Sequence, residues 1–228
     1  MSASRRLGNQ TVKIDNVSVL ESAAIVGKKE GEGPLAESFD IVLPDNEWEE
    51  KTWEKTESKM QREAAKLAVT KAGLKLSDID YILSGDLLNQ CISAGFGLRE
   101  LNIPFFGIYG ACSTMIEGIS LASILIDGGF AERAEAVTSS HFCTAERQYR
   151  NPLEYGGQRT PTAQWTVTGS GAAILQSGYK AGDTRVTHIT TGKIVDMGIK
   201  DANNMGGAMA PAAYETLKTH FKDTGLSP

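Results

Sequence analysis

The chain has 228 residues, with 23 Lys and Arg against 28 Asp and Glu, and carries a formal net charge of −5 at pH 7. This acidic balance argues against a protein that binds the phosphate backbone of nucleic acid. Hydrophobic residues make up 41% and charged residues 22% of the chain, which excludes a disordered protein and indicates a folded, globular one.

The cysteine content and the hydrophobic pattern exclude two further classes of protein. Three cysteines without a C-x-x-C pair, and only three histidines, disfavour a disulfide framework and a structural zinc site. We therefore expect a reducing, intracellular compartment, no metal and no cofactor. The sequence does not open on a signal segment, and its longest uncharged stretch, Thr160–Tyr179, is rich in Thr, Ser, Gln and Gly. We expect no transmembrane segment.

The first 126 residues show strand-like patterns that alternate with helical ones. Short apolar runs predict strands at Thr11–Ile14, Val17–Val26, Tyr81–Ser84 and Pro104–Tyr109. Helical spacing of apolar residues predicts helices at Thr56–Ala72, Gln90–Arg99 and Gly110–Ile126. The third helix has small or apolar residues nearly all the way round, which is typical of a helix buried on most sides.

The rest of the chain completes an alternating pattern. We predict a strand at Ala134–Ser139 and a polar loop at Ser140–Thr162. Two strand-like runs, Trp165–Gln176 and Arg185–Asp196, are expected to form a hairpin, and a last helix is expected at Ala208–Phe221. Strands that alternate with helices predict an α/β fold. Its sheet is expected to be mixed but mostly parallel, with flanking helices, one buried helix and antiparallel strands at the end.

Cys112 carries the sharpest chemical signal. It comes directly after a predicted strand, behind Gly110 and Ala111, in the first turn of the helix expected to be buried. Free amide groups and the positive end of the helix dipole favour a thiolate there, so the position predicts a nucleophile. The alternative is a small hydrophobic residue packed at the start of a helix, because free cysteines are often buried.

A thiol nucleophile requires a base, normally a histidine, within hydrogen-bond distance. His141 follows the strand after the Cys112 helix, so in a parallel sheet its loop lies at the same end as Cys112. We expect His188, within a predicted strand, and His220, at the end of the last helix, to be structural or solvated. These residues do not make up a complete catalytic triad.

Polar residues near strand ends are candidates for binding a small ligand. Asp86 and Asn89 lie just past the carboxyl end of a predicted strand, where pockets form, although a Gly-Asp pair also makes ordinary turns. Arg147, Arg150 and Arg159 could hold carboxylates in two-pronged contacts, but solvated or interface arginines are the commoner case.

A Gly-Ser-Gly-Ala segment that contains Gly169 and Ser170 interrupts a strand-like run. Glycine at such a place indicates either a tight turn or a backbone that a ligand approaches closely. The segment is too short and isolated for a phosphate-binding loop, and a plain hairpin turn is the preferred interpretation.

Several segments together resemble the stage V sporulation protein AD family of the thiolase-like superfamily. The order of strand, Gly-Ala-Cys-Ser-Thr, helix, Asp-Gly-Gly, strand, Ser-Ser-His and Gly-Ser-Gly-Ala-Ala is similar to the amino-terminal half of a thiolase-like fold. The segments that carry the resemblance are Ser84–Gln90, Phe106–Thr114, Thr138–His141, Thr144–Gln148, Glu154–Gln158 and Asn204–Pro211.

The resemblance implies how the chain is organised. Residues 1–180 would form the amino-terminal thiolase-like half, and residues 181–228 would begin the carboxy-terminal half. In this superfamily the second half supplies the catalytic histidine and its partner, so the chain is expected to be a fragment or a truncated product. Cys112 aligns with the nucleophile of thiolases.

The resemblance also implies a function in spore formation. Members of this family bind dipicolinic acid (pyridine-2,6-dicarboxylate), with or without calcium, for its uptake into the developing spore. They act with the other proteins of the SpoVA channel complex, peripherally at the spore inner membrane, and a homodimer is expected. The implied ligand site contains Cys112, with Asp86, Asn89, His141, Arg147, Arg150, Gly169 and Ser170 as candidate contacts.

Two other hypotheses remain open. The first is a thiolase-like or ketoacyl-synthase-like acyltransferase that uses Cys112 as its nucleophile. The second is an assembly subunit whose pocket is vestigial. The binding protein is the preferred hypothesis, because the base and the oxyanion donors of a condensing enzyme come from the other half of the fold.

Overall fold

The structure is a computed structural model that describes residues 5–149, 165–201 and 204–227. The chain divides into two compact units, the larger of which spans 16–184, and the smaller of which combines 1–15 with 185–228. The division into thiolase-like halves at 180 and 181 stays a prediction. Over the part of the chain that is described, no helix is long and apolar enough to cross a membrane.

The elements alternate largely as predicted. The strands are β1 (Thr11–Lys13), β2 (Val17–Val26), β3 (Ile41–Val42), β4 (Tyr81–Gly85), β5 (Phe105–Gly107), β6 (Arg133–Ser140), β7 (Gly169–Ser177) and β8 (His188–Thr190). The α-helices are α1 (Trp53–Lys71), α2 (Ile92–Leu98), α3 (Thr114–Asp127), α4 (Phe142–Tyr149) and α5 (Met205–Thr224). Short 3-10 turns occur at Asn89–Cys91 and at Ala111–Ser113, among other places.

The larger unit is built on a six-stranded sheet with the order β3-β2-β7-β6-β4-β5. The β2–β3, β4–β5 and β4–β6 pairs are parallel, while β7 runs antiparallel to both β2 and β6. Because β4, β5 and β6 are parallel, their carboxyl ends lie along one edge of the sheet. That edge carries most of the candidate site residues.

Helices cover both faces of this sheet. On one face, α1 buries Met60, Ala64 and Ala68 in a core that also includes Ile82 and Val137. Thr52 caps the start of α1 by accepting a hydrogen bond from the Lys55 N–H, 3.3 Å away. The other face is covered by α3, which contacts β4, β6 and β7.

The predicted burial of α3 holds only for its inner side. Gly118 packs against Ala136 on the sheet, and Ala122 and Ile126 are buried. The outer side exposes large apolar side chains, namely Ile116, Leu121 and Ile124. A helix that is apolar nearly all round therefore presents an apolar surface here.

The predicted hairpin of the runs at 165–176 and 185–196 is wrong. β7 pairs with β2 and β6, and β8 pairs antiparallel with β1. β7 consists of small and apolar residues that are buried on both faces, which suits a strand with a neighbour on each side. The proposed turn at Gly169–Ala172 is wrong for the same reason, because these residues pair continuously with both neighbouring strands.

The predicted polar loop from Ser140 to Thr162 is also wrong in its first part. Residues Phe142–Tyr149 form α4, which buries Thr144 and Ala145 and turns its charged residues outward. Such a short, polar helix has a weak sequence pattern. The second part of the predicted loop lies in residues 150–164, which are outside the described residues.

In the smaller unit, β1 and β8 form a two-stranded sheet that packs with α5. The Thr11 hydroxyl donates to Asp223 over 2.8 Å, and Thr190 Oγ1 lies 2.9 Å from Nδ1 of His220. Asn204 caps α5 by accepting from the Gly207 N–H at 3.0 Å. His188 and His220 thus have structural neighbours, as the sequence predicts.

Candidate functional site

Cys112 lies exposed at the carboxyl edge of the parallel strands. It sits in the 3-10 turn that links β5 to α3. This turn is held by its own polar groups: the Ser113 hydroxyl donates to the Gly110 carbonyl, and the Thr114 hydroxyl to the Ala111 carbonyl, both over 2.8 Å. The alternative of a cysteine packed in the core is therefore wrong, and the thiol is open to a ligand.

Two tyrosines stand beside this turn. The hydroxyl oxygens of Tyr109 and Tyr149 are 2.8 Å apart, and the Tyr149 hydroxyl donates to the Leu87 carbonyl over 2.5 Å. Burial, the hydrogen bond with Tyr109 and the negative charge of Asp86 raise the pKa of Tyr149. The phenol of Tyr149 thus stays protonated, and its hydrogen bond with Tyr109, which directly precedes the Cys112 turn, joins α4 to the same site.

Asp86 is buried at this edge of the sheet and hydrogen-bonds to the backbone of the following loop and helix. Its carboxylate is buried and accepts from the Leu88 and Ala94 N–H groups, each over 2.7 Å. Burial raises the pKa of Asp86, opposed by these backbone hydrogen bonds. Both oxygens are occupied, so Asp86 fixes the loop that leads to α2. Asn89, by contrast, is exposed at the surface of that loop.

His141 is fully buried, and both of its ring nitrogens are engaged. Nδ1 accepts from the Cys143 N–H at 3.1 Å, so Nε2 carries the proton and donates to the Asn46 carbonyl at 2.8 Å. Burial lowers the pKa of His141, which keeps the ring neutral. The ring also stacks with Trp53 at 6.4 Å between centroids. His141 therefore holds the loop between β6 and α4 and is not placed to take a proton from Cys112.

Arg147 projects from α4 and forms an ion pair with Glu54 of α1. Its guanidinium also lies 5.9 Å from the ring centroid of Trp53. Its charge is thus partly neutralised within the protein, although more than half of the side chain is exposed. Arg150 and Arg159 lie outside the described residues.

Gly169 and Ser170 lie at the start of β7, opposite the end of β6. Ser170 is paired with Ser139 in the sheet, and its hydroxyl donates to the Thr138 carbonyl over 2.9 Å. Both residues are buried. They are at the same edge of the sheet as Cys112, because β7 runs opposite to the parallel strands.

Sequence reasoning missed Glu57, a fully buried carboxyl of α1 beneath this edge. It also gave little weight to the two tyrosines. A glutamate in an amphipathic helix usually faces solvent, so its pattern gave no signal. Tyr109 could have been found, since it ends the apolar run just before the Cys112 turn. Over the described ranges, no group of three or more His, Cys, Asp or Glu side chains is arranged to hold a metal ion.

Comparison with known proteins identifies the family. The model of the family "Stage V sporulation protein AD (SpoVAD)" matches residues 8–228. The chain belongs to this family. It is 48% identical over 217 residues to stage V sporulation protein AD of Bacillus subtilis (strain 168), a match that covers 95% of the chain and 64% of that protein. The chain thus spans less than two thirds of the length of this relative.

Solved structures confirm the predicted thiolase-like fold. The 3-oxoacyl-(acyl carrier protein) synthase III, FabH, of Xanthomonas oryzae pv. oryzae superposes with a TM-score of 0.61 at 15% identity, over 95% of this chain and 75% of that one. A variant of Xanthomonas campestris OleA bound with cerulenin gives 0.64 at 16% identity, over 94% and 72%. The chain thus belongs to the stage V sporulation protein AD family and has a thiolase-like fold.

Proposed function

We propose that this protein binds dipicolinic acid at the Cys112 edge of the sheet, for uptake of the acid into the developing spore. The observation that carries the proposal is the exposed Cys112 beside the Tyr109–Tyr149 pair, at the end of three parallel strands. Small ligands of open α/β sheets bind at such edges. The family membership adds the sporulation context.

The charge of the ligand constrains how it binds. A chain with a net charge of −5 repels a dianion at long range, so attraction must be local. The amide groups at the start of α3 favour a carboxylate, and Arg147 would contribute on release from Glu54. Calcium bound together with the ligand would further reduce the repulsion.

The candidate residues then divide by what their atoms are free to do. Cys112, Asn89 and Arg147 are exposed and would contact the ligand. Four candidates would instead fix the backbone around the ligand, because their polar groups are already hydrogen-bonded or lie within the sheet: Asp86, His141, Gly169 and Ser170. Arg150 remains a proposed contact.

Titration calorimetry with dipicolinate, with and without calcium, tests this function. We expect heat of binding that is weakened in Cys112→Ala and Arg147→Ala but unchanged in Cys143→Ala, whose thiol is partly buried on α4. Benzene-1,3-dicarboxylate, which lacks the ring nitrogen, should bind more weakly. Absence of binding in the unaltered protein would reject the proposal.

A second candidate function is acyl transfer through Cys112, favoured by the exposed thiol and the fold. The Cys112 thiolate would attack an acyl-CoA thioester, forming an acyl-cysteine and releasing the thiol of CoA. The occupied ring of His141 counts against it, since a thiol nucleophile normally requires a base. Mass spectrometry after incubation with acyl-CoA should then show an adduct on Cys112. An unmodified but alkylatable Cys112 would reject the candidate.

We further propose that the protein works with the other proteins of the SpoVA channel complex, peripherally at the spore inner membrane, and that it forms a homodimer. β5 is a terminal strand of the sheet with Phe105 and Phe106 exposed, and such an edge is suited to pairing. Light scattering that gives a clean monomer would contradict the dimer. Absence of the protein from the membrane fraction of spores would contradict the location.

If the pocket is vestigial and the protein serves only in assembly, another result is expected. Cys112→Ala would then leave dipicolinate uptake untouched, while substitutions on contact surfaces such as the β5 edge would abolish it.

A further inference from the structure

Glu57 joins three elements beneath the candidate site. It lies in the first half of α1 and is 0% exposed. One carboxyl oxygen, Oε1, accepts from the hydroxyl of Ser139 at the end of β6, over 2.9 Å. The other, Oε2, lies 2.8 Å from Oγ1 of Thr144 in α4. A single side chain thus connects α1, β6 and α4.

The burial of Glu57 and the hydrogen bonds around Thr144 favour a protonated Glu57. The Thr144 hydroxyl lies within hydrogen-bond distance of both Glu57 Oε2 and the His141 carbonyl, which is 2.9 Å away, yet it has one proton to donate. If Glu57 is ionised, Thr144 donates to it and the His141 carbonyl keeps only the Ala145 N–H, so a buried charge is held by two neutral hydroxyl groups. If Glu57 is protonated, its O–H donates to Thr144 and Thr144 donates to His141, so every group is satisfied.

The charges around Glu57 favour the same state. Burial raises the pKa of Glu57 to about 7, the Thr144 and Ser139 hydroxyls oppose this, and the negative charge of Asp86 adds to it. Neighbouring elements offer little compensation: His141 is kept neutral by burial, and Arg147 of α4 is paired with Glu54. The sequences of α2 and β7 contain no charged residue.

α4 is the element whose position matters for the site. It carries Arg147, and its last residue, Tyr149, hydrogen-bonds to the Leu87 carbonyl and to Tyr109, which directly precedes the Cys112 turn. The start of α4 is held by the Ala145 N–H, which donates to the His141 carbonyl, and by Thr144. A change at Thr144 would therefore shift the two side chains that α4 brings to the Cys112 edge.

We propose that Glu57 is a positioning residue whose protonated carboxyl fastens α4 to α1 and β6, and thereby sets Arg147 and Tyr149 at the Cys112 edge. Deprotonation takes the Thr144 donor away from the His141 carbonyl and leaves a buried charge held only by neutral hydroxyl groups, which loosens α4. The effect of Glu57 on ligand binding rests on the proposed function, whereas its effect on the position of α4 does not depend on that function.

Two variants separate the charge of Glu57 from its shape. In Glu57→Gln, the amide N–H donates to Thr144 and the amide oxygen accepts from Ser139, so the protonated arrangement is kept at every pH. In Glu57→Leu, both hydrogen bonds are lost. Gln is thus a matched control that cannot titrate, and Leu reports the loss of the connection itself.

The first measurement uses no ligand. The melting temperature and the hydrogen-exchange protection factors of the α4 amides are followed between about pH 5.5 and 8.5. Because the folded state holds the proton more tightly than the unfolded state, stability and α4 protection in the wild type should fall as the pH rises through about 7. Glu57→Gln should remove the fall in α4 protection and reduce the fall in melting temperature, to which the buried Glu135 also contributes, and Glu57→Leu should show low α4 protection at every pH. A Glu57→Gln profile that matches the wild type would overturn the proposal.

The second measurement adds dipicolinate. Its affinity should weaken as the pH rises through about 7 in the wild type and stay constant in Glu57→Gln. If no variant binds dipicolinate but α4 protection still depends on Glu57, the proposed function fails and the role of Glu57 stands. If binding occurs with the same pH dependence in wild type and Glu57→Gln, the role of Glu57 fails and the function stands.

Discussion

The side chain of Glu135 gives the sharpest test of how the core of this protein is held together. It lies in the middle of β6, is fully buried, and stands opposite Ile82 on one side and Ile174 on the other. Neither carboxyl oxygen has a hydrogen-bond partner among the described residues. Burial raises the pKa of Glu135 well above its usual range, so the group is held as a neutral acid in an apolar layer. Replacing it by methionine, which has the same chain length, should stabilise the fold.

The size of the effect follows from three contributions. Removing an unpaired, buried polar group recovers about 1–3 kcal/mol, and burying a methionine side chain contributes about 1.5–3 kcal/mol. Imperfect fit of the new side chain costs up to about 1.5 kcal/mol. These contributions sum to about 1–6 kcal/mol, so we expect a gain of about 3 kcal/mol in the free energy of unfolding. For a chain of this length that corresponds to a rise of about 6–12 °C in Tm.

Urea unfolding followed by circular dichroism measures the change for Glu135→Met. Two controls accompany it: Glu135→Gln, which keeps an unpaired polar group but cannot titrate and should gain less than Glu135→Met, and Glu132→Met at an exposed position next to β6, which should stay within about 0.5 kcal/mol. Because the raised pKa makes wild-type stability fall as the pH rises, the advantage of Met should grow from acid to neutral pH. A clear loss of stability in Glu135→Met would refute the reasoning.

Two further predictions concern the packing of α2 and the acid limb of stability. Gly97→Ala should destabilise the fold by about 1–3 kcal/mol, because the new methyl group would lie 2.5 Å from the Ser58 carbonyl of α1. The control Gly95→Ala in the same helix meets nothing within 4 Å and should be neutral or stabilising. Equal urea midpoints for the two variants would contradict this prediction. The wild type should lose stability on acidification below about pH 6.5, because burial makes His141 harder to protonate in the folded chain than in the unfolded chain. His141→Asn should reduce this loss. Profiles of unfolding free energy against pH that run parallel in the two proteins would contradict the prediction.

Local patterns were enough to predict most elements of the sheet and its helices. α1, α3 and α5 combine a long periodic pattern with a recognisable start or stop, and each is found within a few residues of its expected bounds. α4 was missed because its eight residues are too few and too polar to show a period. The partners of β7 were misjudged because pairing depends on residues about 150 positions earlier in the chain, which local patterns do not encode.

The candidate site divides in the same way. Cys112 was predictable, since a strand followed by small residues and a helix fixes both its place and its surroundings. The engagement of His141 and of Asp86 was not, because each is decided by backbone groups of loops whose path the sequence does not specify. Glu57 and Glu135 look in sequence like ordinary solvent-facing acids. Only the tertiary structure brings them inside.

The antiparallel placement of β7 has a consequence for how the chain acquires its structure. β7 fills the middle of the sheet, yet it follows β2 by more than 140 residues and is the last of the six strands to be synthesised. Until it emerges from the ribosome, β2 with β3 and β4 with β5 and β6 are two separate fragments with unpaired edges. Such late, long-range closure slows folding and leaves intermediates prone to aggregation. Chaperone dependence during synthesis should therefore end when β7 leaves the exit tunnel.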